Sequence, residues 1–179
     1  VQKESEKLIW QQANLDPLTS LPNRNMFLDL LSSAMCEADF SGLPVALLFI
    51  DLDRFKDVND TLGHHQGDDL LKRVAKRISS CVRQSDVVAR LGGDEFTVIL
   101  KQVSNTQSPE RIAADIINAL SSTYALADNE VNYISASIGI SLYPNDATDV
   151  QSLLKNADQA MYTAKRQGRN RYQFFTPQM

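Results

Sequence analysis

Two adjacent glycines, Gly92 and Gly93, separate two segments whose residues favour β-strands, "DVVARL" and "EFTVIL". Paired glycines weaken regular structure and tolerate the backbone angles of a tight turn. We therefore predict a β-hairpin over residues 86–100. The turn also puts two carboxylates, Asp94 and Glu95, side by side at the start of the second strand. Adjacent negative charges on bare backbone contribute little to stability, so this hairpin is the first candidate for a functional site.

The rest of the chain alternates between segments typical of strands and of helices. The run "VALLFIDL" (45–52) is apolar nearly throughout, which predicts a strand buried on both faces. Apolar residues at helical spacing predict helices elsewhere, with "GHHQGDD" as a loop before the second of them. The first predicted helix begins near Asn23, and three more cover 68–82, 109–121 and 149–167. Further strands are predicted over 131–143 and 171–175. This interleaving predicts an α/β or α+β domain with one sheet.

Composition and charge limit the classes of protein that this chain can represent. Its 179 residues suit one domain, and a net charge of −4 argues against broad nucleic-acid binding. No apolar run is long enough to cross a bilayer, and we expect no membrane contact by this domain. Cys36 and Cys81 form no CxxC pair, so we expect buried thiols in a reducing compartment, the cytoplasm.

Residues 1–14 are polar and helix-prone, with few bulky apolar side chains. We expect them to form a linker helix, followed by a single domain over 15–176. Because the segment resembles the end of a connecting helix, we also expect the chain to be part of a longer protein. An inner-membrane anchor elsewhere in that parent protein is compatible with this organisation.

Two acidic clusters lie at predicted strand ends, Asp51 with Asp53 and Asp94 with Glu95. A carboxylate at the end of a buried strand is costly unless a partner neutralises it. Magnesium prefers such oxygen ligands and usually shares them with substrate phosphates. The alternative is that these acids are solvated turn residues, with Asp53 as the N-cap of a short helix over 54–60. An EF-hand is excluded, because its ligand spacing fails after the second aspartate.

The segment "KRQGRN" closes the last predicted helix. Lys165 and Arg169 are four residues apart, so they share a face if the helix continues that far. Cations at a helix C-terminus interact favourably with its dipole, and the functional alternative is a phosphate clamp. The adjacent His64 and His65 lack partners at metal-ligand spacing, and we interpret both as loop residues.

The string "RLGGDEF" (90–96) resembles the signature of the GGDEF domain of diguanylate cyclases. Other blocks resemble the same family in the same order: "DPLTSLPNR", "FIDLDRFKDVND", "GHHQGDDLL", "SIGIS" and "ADQAMYTAKRQGRN". Together they cover the chain from Asp16 to about Phe175, which makes the combination highly specific. One departure is Ser20, where the family usually has glycine, and we expect it to alter a turn rather than the chemistry.

The resemblance implies a fold and a reaction. The fold is a central, mostly antiparallel sheet surrounded by helices, like the palm of nucleotide polymerases and nucleotidyl cyclases. The reaction condenses two GTP molecules into cyclic di-GMP and releases two pyrophosphates. Each domain binds one GTP, so catalysis requires a homodimer. Magnesium is the implied metal, with manganese as the alternative.

The resemblance also implies roles for individual residues. The implied metal ligands are Asp51, Asp94 and the Leu52 carbonyl. The adjacent acid, Glu95, is needed for activity and assists either the metal or a deprotonation. Guanine recognition falls to Asn59 and Asp68. The substrate phosphates are expected near Gly92, Gly93, the backbone of Arg54 and Phe55, and the side chains of Lys165 and Arg169.

The segment "RQSD" holds Arg83 and Asp86, three residues apart. The simple interpretation is a surface ion pair at the end of a helix. Its offset from the glycines, however, resembles the inhibitory product site of the family, with Arg111 as a further candidate. We therefore expect cyclic di-GMP to act as inhibitor as well as product.

Two rival functions stay open beside the cyclase. One is a module that binds GTP or cyclic di-GMP without turnover. The other is a domain that regulates a phosphodiesterase domain on the same parent chain. The intact GGDEF string favours the cyclase, because non-catalytic members of the family usually carry an altered one.

Overall fold

Six helices and seven strands occur in the part of the chain that the computed structural model describes, residues 2–105 and 108–179. The helices are α1 (Gln2–Asn14), α2 (Arg24–Ser41), α3 (Phe55–Leu62), α4 (His64–Ser80), α5 (Pro109–Ser121) and α6 (Val150–Arg166). The strands are β1 (Val45–Asp53), β2 (Val87–Gly92), β3 (Glu95–Leu100), β4 (Tyr124–Leu126), β5 (Asn129–Val131), β6 (Ser135–Tyr143) and β7 (Arg171–Phe174).

Five of these strands form one sheet in the order β2-β3-β1-β6-β7. The central strand β1 pairs antiparallel with both β3 and β6, β2 pairs antiparallel with β3, and only the β6–β7 pair is parallel. The predicted central, mostly antiparallel sheet surrounded by helices is therefore confirmed. The predicted hairpin over 86–100 is present as β2 and β3.

The sheet is covered on both faces, which explains why β1 is apolar nearly throughout. Successive side chains of a strand point to opposite faces. Leu47 and Phe49 accordingly join the core beneath α2 and α6, whereas Leu48 and Ile50 join the core beneath α4 and α5. All four side chains are buried, and each contributes about 1.5–3 kcal/mol of hydrophobic free energy.

Helix α6 lies unusually close to β6, and a glycine permits this contact. A Cβ atom on Gly139 would overlap the backbone of Ala157 and Met161. The close approach brings the C-terminal end of α6, which carries Lys165, over the end of β1. The packing of α6 therefore decides where the cations of the last helix lie relative to the strand-end acids.

Three predictions from the sequence are wrong: a loop, the start of a strand and the burial of a cysteine. The segment 64–69 is helical rather than a loop, so His64 and His65 belong to the first turn of α4. Gly63, with φ +92°, ends α3 and begins α4 within one residue, so no loop is needed. The strand predicted over 131–143 begins only at Ser135, because residues 124–131 form a separate small hairpin of β4 and β5. Cys36 is exposed rather than buried.

The N-terminal part shows the predicted helix and cap. Helix α1 buries none of its side chains, and the Met26 amide donates to Asn23 Oδ1 at the start of α2. Between these helices, Ser20 has φ +63°, which costs a non-glycine residue about 1–2 kcal/mol. None of the helices in the described ranges is long and apolar enough to span a membrane.

Candidate active site

The hairpin turn and the end of β1 bring two aspartates together. Asp51 lies opposite Glu95 in the β1–β3 register, and the Leu52 amide donates to the Asp94 carbonyl at 3.3 Å. The turn depends on its glycines, because Gly92 and Gly93 have φ angles of +146° and +50°, which favour glycine. The adjacency of Asp51 and Asp94, expected from the resemblance, is thus built from a strand pairing and a bare turn.

The carboxyl group of Asp51 is poorly compensated. Burial, followed by the charge of Asp94, raises the pKa of Asp51 to about 7, against the opposing effect of Lys165. Lys165 Nζ lies 3.4 Å from Asp51 Oδ2. Asp51 Oδ1 is buried and has no hydrogen-bond partner among the described residues. A buried acceptor without a donor is costly, and a cation is the group that would relieve it.

The donor set fits a hard divalent cation. Carboxylate oxygens and a strand carbonyl, such as that of Leu52, are ligands that Mg²⁺ and Mn²⁺ accept. Within residues 2–105 and 108–179, no cluster of three or more His, Cys, Asp or Glu side chains is arranged to hold a metal by itself. Asp51 and Asp94 alone therefore match a site that is completed by substrate phosphates, which is how magnesium is commonly bound.

Glu95 adds a third acid beside this pair. Burial, then the charges of Asp158 and Asp94, raise the pKa of Glu95, whereas Arg24 and Lys165 lower it. Sequence reasoning missed Asp158 and Arg24, because they approach Glu95 from α6 and α2. No local pattern links helices so distant in sequence to a hairpin turn.

Asp53 does not cap α3, and the sequence interpretation of this residue is wrong. The N-cap of α3 is Arg54, which has φ +66° and forms no side-chain cap bond. Asp53 instead remains paired in β1 opposite Ser135 and accepts hydrogen bonds from Ser135 Oγ at 2.7 Å and Ser137 Oγ at 2.8 Å. Arg54, in the left-handed region, is the residue between β1 and α3. Because no side chain caps α3, its first amides, including that of Phe55, have no side-chain acceptor.

Lys165 and Arg169 approach the same aspartate, although not along one helix face as the sequence suggested. Helix α6 ends at Arg166, and the chain then turns through Gly168 and Arg169 at positive φ. This turn brings Arg169 Nε to 3.9 Å from Asp53 Oδ1, whereas Lys165, still within α6, has its Nζ 3.4 Å from the same oxygen. The two cations thus lie beside the strand-end acids, as a phosphate clamp requires.

Asn59 and Asp68, the expected guanine contacts, lie on the paired helices α3 and α4. Asn59 is partly buried and Asp68 is exposed. A Cβ on Gly67 would overlap Asn59 Oδ1, so glycine is needed for the two helices to approach at this point. The short α3–Gly63–α4 connection therefore sets the position of both side chains.

A further cation connects the hairpin turn to the N-terminal segment. Arg90 donates to the Gly93 carbonyl through Nε at 3.0 Å and Nη2 at 2.8 Å, and its Nη1 lies 2.8 Å from Asp16 Oδ1. The Asp16 carboxylate also accepts from the Thr19 amide and hydroxyl. Sequence reasoning missed this pair, because the two charges are 74 residues apart.

The opposite end of the hairpin holds Arg83 and Asp86. Asp86 is buried and accepts from the Arg83 amide at 3.0 Å, from Arg83 Nε and Nη2 at 3.2 Å, and from the Lys101 amide at 3.1 Å. Arg83 also donates to the Lys101 carbonyl. The pair is therefore built into the strand end, unlike a freely solvated surface ion pair. Arg111 lies exposed in the first turn of α5.

Comparison with known proteins extends these observations. The family model described as "Diguanylate cyclase, GGDEF domain" matches residues 13–171. The diguanylate cyclase TpbB of Pseudomonas aeruginosa is 48% identical over 158 residues, covering 88% of this chain and 36% of TpbB. The bifunctional diguanylate cyclase/cyclic di-GMP phosphodiesterase MucR of the same species is 48% identical over 169 residues, covering 94% of this chain and 24% of MucR. The chain thus spans well under half the length of these curated relatives.

Solved structures show the same fold. The GGDEF domain of TpbB superimposes with a TM-score of 0.87 at 46% identity, covering 90% of this chain and 94% of that one. The coiled coil and GGDEF domain of DgcB from Caulobacter crescentus, solved in complex with c-di-GMP, gives a TM-score of 0.85 at 30% identity, covering 96% and 91%.

Proposed function

This chain belongs to the GGDEF domain family, and from that premise we propose that it is a diguanylate cyclase domain. It condenses two GTP molecules into cyclic di-GMP and releases two pyrophosphates. The observation that carries the proposal is the pair Asp51 and Asp94, an incompletely compensated pair of acids beside a bare glycine turn. This arrangement suits a metal-bound triphosphate better than it suits a stable surface turn.

The metal in this proposal is Mg²⁺, with Mn²⁺ as the alternative, held by Asp51, Asp94 and the Leu52 carbonyl. When bound, such an ion offsets the charge of the triphosphate and of the transition state. The chain's own residues do the rest of the binding. Gly92 and Gly93 let the phosphate and sugar approach bare backbone.

Cations and backbone amides beside the strand-end acids hold the phosphates in this proposal. Lys165 and Arg169 supply two positive charges, and the side-chain-uncapped start of α3, at Arg54 and Phe55, supplies backbone N–H groups. Amides at the N-terminus of a helix bind anions favourably. Together these groups hold the terminal phosphates, which leave as pyrophosphate.

The base is recognised by Asn59 and Asp68. A carboxylate accepts from the ring N–H and the amino group of guanine, and adenine lacks that pair of donors. A polar group left unpaired by the wrong base supplies much of the discrimination. A competition titration between GTP and ATP tests this part, and equal affinities would contradict it.

Each new phosphodiester bond requires a ribose hydroxyl of one GTP to attack the α-phosphorus of the other. Glu95 is the group proposed to accept the hydroxyl proton or to assist the metal. Burial is the first cause that raises the pKa of Glu95, and a carboxylate with a raised pKa accepts a proton more readily than an ordinary one. Because each domain holds one GTP, the reaction needs two domains facing each other, and we propose a homodimer.

Product inhibition is part of the proposal. Arg83 and Asp86 lie at the end of the hairpin away from Asp94, so cyclic di-GMP bound there leaves the GTP site free. The c-di-GMP complex of DgcB supports a product site on this fold. A guanidinium can pair with guanine acceptors through two hydrogen bonds and stack on the base.

The experiment is incubation of the domain with GTP and Mg²⁺, with the product identified by chromatography and mass. The expected product is cyclic di-GMP, absent with EDTA or with ATP alone. At low protein concentration the rate should rise with the square of that concentration, because two domains must meet. The second candidate is a GTP-binding module that regulates a phosphodiesterase, favoured by the 41% identity over 169 residues to NbdA of Pseudomonas aeruginosa, which is named a cyclic di-GMP phosphodiesterase. Tight GTP binding without any product would establish that candidate instead.

A further inference from the structure

Asp53 is a buried carboxylate that collects donors from three separate parts of the chain. Its side chain is only 1% exposed. Oδ1 accepts from Ser137 Oγ at 2.8 Å and Lys165 Nζ at 3.4 Å, whereas Oδ2 accepts from Ser135 Oγ at 2.7 Å and the Asn170 amide at 3.1 Å. Each oxygen thus has two hydrogen-bond donors, and Arg169 Nε lies 3.9 Å from Oδ1. A buried carboxylate held in this way is fully satisfied without any ligand.

This environment separates Asp53 from Asp51, two residues earlier on the same strand. Asp51 has a buried oxygen without a hydrogen-bond partner among the described residues, whereas both oxygens of Asp53 are occupied. Asp53 is therefore a poor metal ligand, although its sequence position suggested one. What the two residues share is Lys165, whose Nζ lies 3.4 Å from each carboxylate.

The donors of Asp53 include Lys165 at the end of α6 and the following turn, which carries Arg169. Gly168, Arg169 and Asn170 have φ angles of +122°, +64° and +52°. Two consecutive non-glycine residues in the left-handed region persist only when the surrounding contacts determine the conformation. The hydrogen bond from the Asn170 amide to Asp53 Oδ2 is such a contact, and it lies next to Arg169 in the chain.

We propose that Asp53 is a positioning residue that fixes Lys165 and the 167–170 turn so that both cations face the terminal phosphates of the substrate. Ser135 and Ser137 orient the Asp53 carboxylate from β6. The inference rests on the proposed function for the identity of the ligand, a nucleoside triphosphate. It gives Asp53 a role other than metal binding, and it adds Ser135 and Ser137, which the sequence did not connect with phosphate binding.

The direction in which Asp53→Asn changes the affinity for a triphosphate tests this role. Asp53→Asn removes a negative charge close to an anionic ligand, so simple electrostatics predicts tighter binding of the triphosphate. Positioning predicts the opposite, because the amide NH₂ of asparagine would face donors such as the Asn170 amide and release the turn. The probe is a GTP analogue with a methylene group between the α- and β-phosphates, which cannot lose pyrophosphate, and the comparison ligand is GMP.

We expect Asp53→Asn to bind the triphosphate analogue at least about fivefold more weakly in calorimetry, through loss of charge-assisted contacts, with GMP affinity unchanged. The matched control is Asp60→Asn, the same charge change at an exposed position of α3. Ser137→Ala is the second variant if Asp53→Asn does not fold. It keeps the charge, removes one orienting hydroxyl, and should weaken the analogue selectively as well.

Equal or tighter analogue binding by the folded variant would overturn the inference. A parallel loss of analogue and GMP would also overturn it, because that pattern indicates a purely structural aspartate. If the wild-type domain bound GMP but gained nothing from the added phosphates, the phosphate clamp of the proposed function would fail and this inference with it. Weaker binding of the triphosphate analogue by Asp53→Asn or Ser137→Ala, with normal binding by the wild type, would leave the proposed function intact and support the positioning role.

Discussion

Each end of the β2–β3 hairpin lies beside a buried or half-buried aspartate, Asp86 at one end and Asp51 of β1 at the other, and the two are partnered in opposite ways. At the distal end, Asp86 accepts four hydrogen bonds from Arg83 and the Lys101 amide. At the turn end, Asp51 faces Asp94, its pKa is raised to about 7, and its Oδ1 lacks a partner in the described part of the chain. One end is electrostatically complete in the free protein, and the other is not.

The difference shows which end demands a ligand. A buried carboxylate that is fully hydrogen-bonded adds to stability, whereas like charges crowded in a half-buried site reduce it. Such a cost is typical of functional sites, where a bound cation or substrate relieves it. In the proposed function the distal end binds product as an addition to a formed structure, whereas the turn end gains a cation that its own residues do not supply.

Removing Asp94 should have the largest effect on activity. Asp94→Ala deletes one of the two carboxylates among the proposed metal ligands, at a partly exposed turn, so we expect the fold to persist while cyclic di-GMP production falls by about 10²–10³-fold or more. The measurement is product formation from GTP and Mg²⁺ under conditions in which the wild type is saturated. A circular dichroism melt checks the fold of the variant.

The matched control for Asp94→Ala is Asp128→Ala. Asp128 is an exposed aspartate in the turn of the other hairpin, between β4 and β5. It should leave turnover unchanged, because it lies outside the proposed site. Wild-type turnover by Asp94→Ala would remove the turn end from the catalytic proposal.

Arg83→Ala should act at the distal end alone. Loss of a guanidinium hydrogen-bonded to a nucleotide is worth about 1.5–3 kcal/mol, so cyclic di-GMP affinity should fall more than about tenfold while turnover in the absence of product is kept. Calorimetry with cyclic di-GMP and initial rates with GTP measure the two effects. The control is Arg73→Ala, which breaks an exposed ion pair with Asp69 on α4. Unchanged cyclic di-GMP affinity in Arg83→Ala would disprove the feedback site.

The same comparison shows what the sequence could predict. The hairpin and the buried strand β1 follow from local patterns, namely paired glycines between strand formers and an apolar run. Two acidic clusters at strand ends suggested a magnesium site, but only the resemblance selected Asp51 and Asp94 as its ligands, since residues 43 positions apart share no local signal. The hairpin and the strand were therefore predictable from local patterns, and the pairing of these two aspartates was specified through the family.

Asp53 shows the limit of sequence reasoning. A local rule makes an aspartate before a short helix an N-cap, yet its partners Ser135 and Ser137 are 82 and 84 residues away. Arg169 shows the same limit, because its approach to Asp53 depends on a left-handed turn that helical spacing does not predict. In both cases a tertiary contact overrides the local preference.

The free energy of unfolding should change in opposite directions when Asp51 or Asp86 is replaced by asparagine. Since the pKa of Asp51 is raised to about 7, the folded state retains a proton that the unfolded chain releases at lower pH. Stability due to Asp51 is therefore fully present below its ordinary pKa of 3.8 and is lost progressively as the pH rises to about 7. Asp51→Asn should raise Tm most at pH 8, raise it less at pH 5 and change it little below pH 4.

Asp86→Asn should instead lower Tm at pH 8. An amide NH₂ in the place of a carboxylate oxygen would face N–H donors and leave at least one of them unpaired, at a cost of about 1–3 kcal/mol. For a chain of this size each kcal/mol corresponds to roughly 2–4 °C in Tm. Melts without divalent metal measure both variants. Destabilisation by Asp51→Asn at pH 8 would contradict the contrast between the two ends.

The smallest expected effect is a pH-dependent stabilisation by magnesium. At about ten times its dissociation constant a metal adds about 1.4 kcal/mol to the folded state, or roughly 3–5 °C in Tm. Binding requires an ionised Asp51, so the apparent affinity should fall about tenfold between pH 8 and pH 6 as that carboxylate takes up a proton. The Mg²⁺-induced rise in Tm, measured against NaCl at matched ionic strength, should therefore shrink to about 1 °C at pH 6. It should vanish in Asp94→Ala and persist in Asp86→Asn, because only the turn end lacks its cation. A shift that persisted in Asp94→Ala, or that grew toward pH 6, would show that the ion binds somewhere other than the strand-end aspartates.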